Sequence, residues 1–391
     1  MRGQPYRTLE PATMKYMGSK RAMLKNGLGH LLDETLIGRN RFVDLFCGSG
    51  AVSSFVAQRA AIPVLASDLQ QYAVTLTNAI IERTTHFNTE THWEAWIERA
   101  DQWLEKNAIA VDPASKPDMV THKRSDQLTW VMKTRTDCAL LDNAPIAKAY
   151  GGYYYSARQA LTIDALRRTL PIKHAVPALA ALIAAASRCA AAPGHTAQPF
   201  STTESSLPHL IHAWQKDVFK ETKTAFDLFA NCRSQIKGNA IVQDAFDVTE
   251  ELVEGDLVFV DPPYSEVQYS RFYHVLEAIA KGSVSDVSGT GRYPPLSDRP
   301  QSNYCLKTSV VDEFDRLMLG IALSGAEAIV TFPAGECSNG LSGSMVEELT
   351  DQYFSVKARK VASVFSTLGG NTTSRAARKN TTELILHLVP K

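Results

Sequence analysis

Short apolar runs closed by polar or glycine-rich turns alternate with helical patterns near both ends of the chain. Arg41-Phe42-Val43-Asp44-Leu45-Phe46 reads as a buried strand. The turn Cys47-Gly48-Ser49-Gly50 follows, then a helical run from Ala51 to Ala60. A second short strand, Pro63 to Ala66, ends in Ser67-Asp68, and a helical pattern covers 71–83. Strand, helix, strand and helix with short connections predict a parallel sheet with crossover helices. The same pattern resumes at Asn239. Strands are expected at Ala240 to Asp244, Asp256 to Val260 and Ala326 to Phe332, helices at 270–281, 309–323 and Ser344 to Gln352, and final strands near 355–363 and 382–389.

Between 89 and 238 this order breaks down. Trp93, Trp96 and Trp103 sit on a polar helical stretch, Ser156 to Thr169 is strongly helical, and the alanine-rich run Ala175 to Ala192 carries Arg188, is broken by Pro177 and is followed by Pro193. That run is short for a membrane span and reads as a buried helix. The segment 89–238 is therefore expected to be a mainly helical inserted lobe. It divides an α/β core into an N-terminal part, 1–88, and a C-terminal part, 239–391.

Composition constrains the partners. The chain has 391 residues, with Lys plus Arg and Asp plus Glu at 41 each. A neutral total argues against a nucleic-acid-wrapping protein but permits a DNA enzyme whose positive charge gathers on one face. The six cysteines are scattered without a C-x-x-C pair, so no zinc or other metal site is expected, and free thiols suit a reducing cytoplasm. No signal peptide or membrane segment is expected.

Two constellations carry chemistry. The first is Asp44 with the loop through Phe46, Gly48 and Gly50, followed by Asp68 at the end of the next strand. Glycines after a strand let backbone approach a ligand, and a strand-end acid accepts hydrogen bonds from ribose hydroxyls. The third glycine of a pyrophosphate fingerprint is missing and no Lys-Ser/Thr follows. A nucleoside without phosphates, such as S-adenosylmethionine, fits better. The second constellation is Asp261-Pro262-Pro263-Tyr264, closing an apolar strand. Two prolines cannot continue a sheet ladder, so they freeze a turn at the carboxyl edge, where open α/β sheets bind ligands. The turn combines a carboxylate, a carbonyl and an aromatic face, the groups required to hold the exocyclic amine and ring of a flipped adenine.

In this combination, Asp44 to Gly50 with a later Asp261-Pro262-Pro263-Tyr264, the chain resembles the Dam-type, alpha-class adenine DNA methyltransferases. The leader Lys15-Tyr16-Met17-Gly18-Ser19-Lys20 is similar to that class's aromatic-x-Gly-Gly-Lys element, with Ser19 replacing a glycine. The resemblance implies a Rossmann-like fold with a seven-stranded, mostly parallel sheet and an antiparallel C-terminal strand, and an insertion that recognises the target. It implies methyl transfer from S-adenosylmethionine to adenine N6 in double-stranded DNA, with a cognate restriction or phage-defence system among the partners. Tyr16 and Lys20 would border the cofactor's methionine end and the target pocket, Asp44 to Gly50 would cradle the methionine and ribose, Asp68 would hold the ribose, and Asp244 with Ala245 would meet the cofactor's adenine. The residues leave open a cytosine amine or RNA adenine as acceptor, and a non-catalytic DNA-binding module. A protein glutamine is disfavoured by Asp, rather than Asn, at position 261.

Basic residues Arg375, Arg378 and Lys379 follow a Gly/Asn/Ser/Thr loop and are expected to grip DNA phosphates. Tyr269 and Arg271, after the Asp-Pro-Pro-Tyr turn, are expected to contact the strand. His274 reads as structural. Tyr153, Tyr154 and Tyr155 with Arg158, Arg167 and Arg168 combine stacking with charge; core and surface of an amphipathic helix is the preferred reading. Oligomeric state is left open.

Overall fold

The computed structural model describes residues 20–107, 120–366 and 378–391. Seven strands form one sheet: β1 (Arg41–Asp44), β2 (Val64–Asp68), β3 (Asn239–Val242), β4 (Asp256–Val260), β5 (Glu327–Pro333), β6 (Phe354–Ser366) and β7 (Arg378–Pro390). Their order is β3-β2-β1-β4-β5-β7-β6. β1 to β5 pair in parallel, and β7 runs antiparallel to both β5 and β6. The expected Rossmann-like methyltransferase fold is therefore present, with β7 as its one reversed strand.

Alternation along the strands makes two cores. Phe42, Leu257, Phe259 and Ile329 face one side, and Val43, Val258, Val260 and Val330 the other. Every residue of β4 is buried, as expected for a central strand covered on both faces. The helices Ala51–Arg59, Gln71–Ile81 and Tyr269–Lys281 cover the first side, and Val310–Leu323 and Gly343–Asp351 the second.

The described residues of 89–238 are mainly helical, and most of these helices pack closely on the first side. In the helix Ala175–Cys189, small alanines let it approach both Gln71–Ile81 and Val218–Asn231. Ser156 and Gln159 form a reciprocal capping box that starts the helix Ala157–Arg168. Trp96 is fully buried and donates to the Leu166 carbonyl at 3.0 Å. A separate small core joins Val131 to Leu207, Leu210, Ile211 and Trp214, away from the sheet. Tyr154 and Tyr155 are wholly buried, with hydroxyls donating to Thr196, Gly291 and Ala186 carbonyls. Arg167 donates to the Ile279 and Ala280 carbonyls, closing the end of the helix Tyr269–Lys281. Arg158 and Arg168 are exposed.

No helix of the described residues is long and apolar enough to cross a membrane. Among those residues the cysteines are free and no cluster of His, Cys, Asp or Glu is arranged to hold a metal.

Candidate functional site

The strand order reverses between β1 and β4, so their carboxyl ends flank a crevice. A cleft with an empty volume of about 950 Å³ opens there. Its walls bring together Lys20, Asp44, Phe46, Gly48, Asp68, Asp244, Ala245, Asp261, Pro262, Pro263, Tyr264 and Tyr269. Four acids far apart in the chain thus meet because each lies at or just beyond the end of a parallel strand.

The glycine turn is tight. Gly48 and Gly50 take φ of +49° and +71°, and the Gly50 amide donates to the Cys47 carbonyl at 2.7 Å. The Gly48 amide donates to Asp68 Oδ2 at 3.0 Å, and the Gln70 amide to Asp68 Oδ1 at 2.9 Å. Gly50 does not line the cleft. A Cβ there would lie 2.7 Å from Thr77 Oγ1, so its small size seats the loop against the helix Gln71–Ile81. Asp44 is held by the Ser53 hydroxyl, which donates to Oδ2 at 2.5 Å. Burial raises the Asp44 pKa to about 7 and that of Asp68 to about 6, against the hydrogen bonds each accepts. Burial also pushes the Cys47 thiol well above its usual range, leaving it a neutral lining group. Asp244 caps the short helix Ala245–Val248, accepting from the Phe246 amide at 2.9 Å.

The Asp-Pro-Pro-Tyr turn is anchored from three directions. Lys20 Nζ lies 2.9 Å from Asp261 Oδ1 and 3.2 Å from Glu383 Oε2 on β7. The Thr331 hydroxyl on β5 donates to the same Asp261 Oδ1 at 2.9 Å. Oδ2 receives no hydrogen bond from a described residue. Asn339, fully buried, donates to the carbonyls of Pro263 at 2.9 Å and Tyr304 at 3.0 Å. Burial opposes the charge of Lys20, but Asp261, Glu383 and Tyr264 outweigh it and hold its pKa above the lysine range. The same burial drives Asp261 upward, with Lys20 pulling it back. Lys20 Nζ also lies 5.9 Å from the Tyr264 ring centre.

Several polar atoms on the cleft wall await partners. Asp44 Oδ1, Gln70 Oε1, Ser270 Oγ and Tyr304 Oη are buried without a well-formed hydrogen bond among the described residues. A ligand with several hydroxyl, amine and amide-like groups would complete them. Phe46 and Tyr304 meet edge to face at 5.1 Å in the same wall. The donor and acceptor set therefore fits an adenosine carrying an amino acid.

A sequence profile for the D12 class N6 adenine-specific DNA methyltransferases matches residues 16–114 and 131–325, well over half of the chain. The chain belongs to that family. It is similar to the modification methylase LlaI of Lactococcus lactis subsp. lactis, 23% identical over 305 residues, covering 78% of this chain and 44% of that protein. The type II methyltransferase M.FokI of Planomicrobium okeanokoites is 25% identical over 318 residues, 78% of this chain and 42% of its own length. The modification methylase StsI of Streptococcus sanguinis is 21% identical over 288 residues, with coverage of 71% and 37%. The chain thus spans less than half the length of these curated relatives.

Within this D12-class chain, other expected site residues fall elsewhere. Tyr16 and Arg375 lie outside the described residues, as do the side chains of Arg378 and Lys379, whose backbone opens β7. Arg271 is exposed one turn beyond the cleft, its Nε donating to the Tyr293 hydroxyl at 3.1 Å. His274 is buried among Tyr150, Tyr154 and Tyr293, and burial lowers its pKa to about 4. Sequence reasoning missed Thr331, Asn339, Glu383, Gln70 and Tyr304. Thr331 alone had a signal, a hydroxyl inside the apolar run of β5. The segment closing the cleft was also missed: Gln268 exchanges two hydrogen bonds with the Ser302 backbone, at 2.7 and 2.9 Å, and brings Pro300 and Ser302 over the opening.

Proposed function

We propose that the chain methylates the N6 amine of adenine in double-stranded DNA, using S-adenosylmethionine. The observation that carries this reading is the meeting of Asp44, Asp68, Asp244 and the Asp261–Tyr264 turn around one cleft in a chain of the D12 class. Asp44 and the Gly48 turn would hold the amino-acid end of the cofactor, Asp68 the ribose hydroxyls, and Asp244 with Ala245 the adenine. When bound, the cofactor supplies an electrophilic methyl on a sulfonium.

The rest of the chemistry belongs to the protein. The amine lone pair of adenine is delocalised into its ring, which makes the nitrogen a poor nucleophile. Asp261 Oδ2 and the Pro262 carbonyl would accept the two N–H bonds and hold the nitrogen in a more tetrahedral form. Lys20 and Thr331 both occupy Oδ1, which fixes the carboxylate so that its other oxygen serves the amine. Stacking on Tyr264 contributes roughly 1–3 kcal/mol, comparable to the few kcal/mol that flipping a base costs. The amine proton leaves only after methyl attack, so the site needs no separate base.

Replacing Asp261 by Ala should abolish methyl transfer from labelled S-adenosylmethionine to unmethylated chromosomal DNA while calorimetry still finds cofactor binding. Near wild-type turnover by that variant would sink the mechanism. The names of the relatives support a role as the protective partner of a restriction nuclease. The free thiols support action in the cytoplasm. Methylation-sensitive sequencing of DNA from expressing cells would give the base and the recognition site.

A further inference from the structure

Four arginines gather around Tyr153 and Tyr293, on both sides of the junction between insertion and catalytic fold and next to residues that line the cleft. The turn Ser288–Tyr293 is closed by two reciprocal backbone bonds of 2.9 Å. It is docked against the insertion: Tyr154 Oη donates to the Gly291 carbonyl, Tyr293 Oη to that of Ala197, and Arg292 Nε to that of Ala149. Arg292 holds this position with a left-handed backbone, φ +54°. From the turn project two tyrosine–arginine stacks. The Tyr293 ring lies 4.8 Å from the Arg271 guanidinium and 5.5 Å from that of Arg299. The Tyr153 ring lies 4.3 Å from Arg135 and 4.7 Å from Arg292.

No described carboxylate lies within ion-pair distance of any of the four, although arginines grouped this way repel one another. Arg135, Arg271 and Arg292 each use Nε inward, on Gly152, Tyr293 and Ala149. Arg299 Nε is buried without a partner among the described residues. The terminal nitrogens of all four make no hydrogen bond to an oxygen of a described residue. A guanidinium held against a ring, with outer nitrogens that bond no described oxygen, is placed to meet the paired oxygens of a phosphate. The cluster adjoins the cleft: Tyr269 and Ser270 precede Arg271, Pro300 follows Arg299, and all three line the opening.

We propose that Arg135, Arg271, Arg292 and Arg299 form a phosphate-binding track that grips the DNA backbone beside the flipped base. The track rests on the DNA-methylating reading above and gives the neutral chain the local positive charge that reading needs. It also spans the insertion and the catalytic fold, so one strand of DNA would fix the register between recognition and chemistry.

The test uses the full chain, with Gln replacing Arg135 and Arg292 in one variant and Arg271 and Arg299 in another, and Lys replacing the second pair in a third. Binding of a labelled duplex of about 30 base pairs is followed over about 50–250 mM salt, beside calorimetry with S-adenosylmethionine and thermal melting. Each Gln pair should flatten the slope of log affinity against log salt by about 0.9 for each phosphate no longer neutralised, hence by nearly two, with cofactor affinity unchanged. The Lys variant should keep the wild-type slope. A lower melting temperature with an unchanged slope would make the arginines structural staples and overturn the proposal. An unchanged slope with unchanged melting would assign the surface to another partner, such as an acidic protein, and overturn it equally. Methyl transfer by the unaltered chain separates the two readings: if it fails, the function falls, whereas the slope judges the track alone.

Discussion

Replacing Lys20 by Met removes the ammonium 2.9 Å from Asp261 Oδ1 while keeping most of the side chain's bulk. Asp261 and Glu383 then share a buried space without their common cation. Removing one partner of a buried ion pair costs about 3–5 kcal/mol, because the remaining charge is stranded. A carboxyl avoids that cost by taking up a proton. A proton on Asp261 disables it as the acceptor for the substrate amine. At about 1.4 kcal/mol per pKa unit, that cost raises the Asp261 pKa by roughly two to four units, and the ionised fraction falls about tenfold for each pH unit that the new pKa lies above the working pH. Single-turnover methyl transfer should fall correspondingly and then recover about tenfold per pH unit as pH is raised. Lys20→Arg, which keeps the charge, should retain a profile much closer to wild type. Cofactor affinity, measured by calorimetry, should change little in Lys20→Met. A loss of rate that is flat with pH, or a loss confined to cofactor binding, would refute the reasoning and return Lys20 to the methionine-binding role that its place in the leader implies.

Four further expectations follow from the site and its supports. Asp44 and Asp68, with pKa values raised to about 7 and about 6, bind protons in the folded chain where the unfolded chain has lost them; ligand-free stability should therefore fall as pH rises from about 4 to about 7, as urea melts at several pH values would show. A cationic cofactor favours the ionised acids, so its affinity should rise over about pH 5–7 with proton release, measurable by calorimetry in buffers of different ionisation enthalpy. Asn339→Ala strands the Pro263 and Tyr304 carbonyls and should destabilise the fold by about 2–4 kcal/mol, with turnover reduced more than cofactor affinity. Gly50→Ala should lose about 1–2 kcal/mol from its left-handed backbone and more from the contact with Thr77, whereas Gly38→Ala, at φ +78° with nothing within 4 Å of its Cβ, should lose only the backbone part; equal melting temperatures would contradict this.

The parallel half of the fold was legible because its signals are local. Each of β1, β2 and β4 is an apolar run stopped by an acid, and a parallel sheet brings such stops to one edge. The Asp261–Tyr264 turn was legible for the same reason, since two prolines end a strand wherever it lies. What surrounds the turn was not. Glu383 reaches Lys20 because β7 reverses and pairs with β5, so that Glu383 stands opposite Pro333. That contact joins positions 363 residues apart, and no periodicity reports it. Asn339 works through backbone carbonyls, which have no sequence signature. The close packing of the helix 175–189 was hidden for another reason: its alanines look like a generic helix until their neighbours show how closely they must pack.

The Lys20–Glu383 contact has a consequence for the order in which the protein comes into being. Synthesis must pass β7, and that reversed strand must dock, before the carboxylate at position 261 acquires its full set of partners. In a chain whose β7 has not docked, Lys20 lacks Glu383, and Asp261 lacks the bridge that ties it to β7. Docking of β7 thus acts as a maturation step for the proposed site, because it completes the surroundings of Asp261.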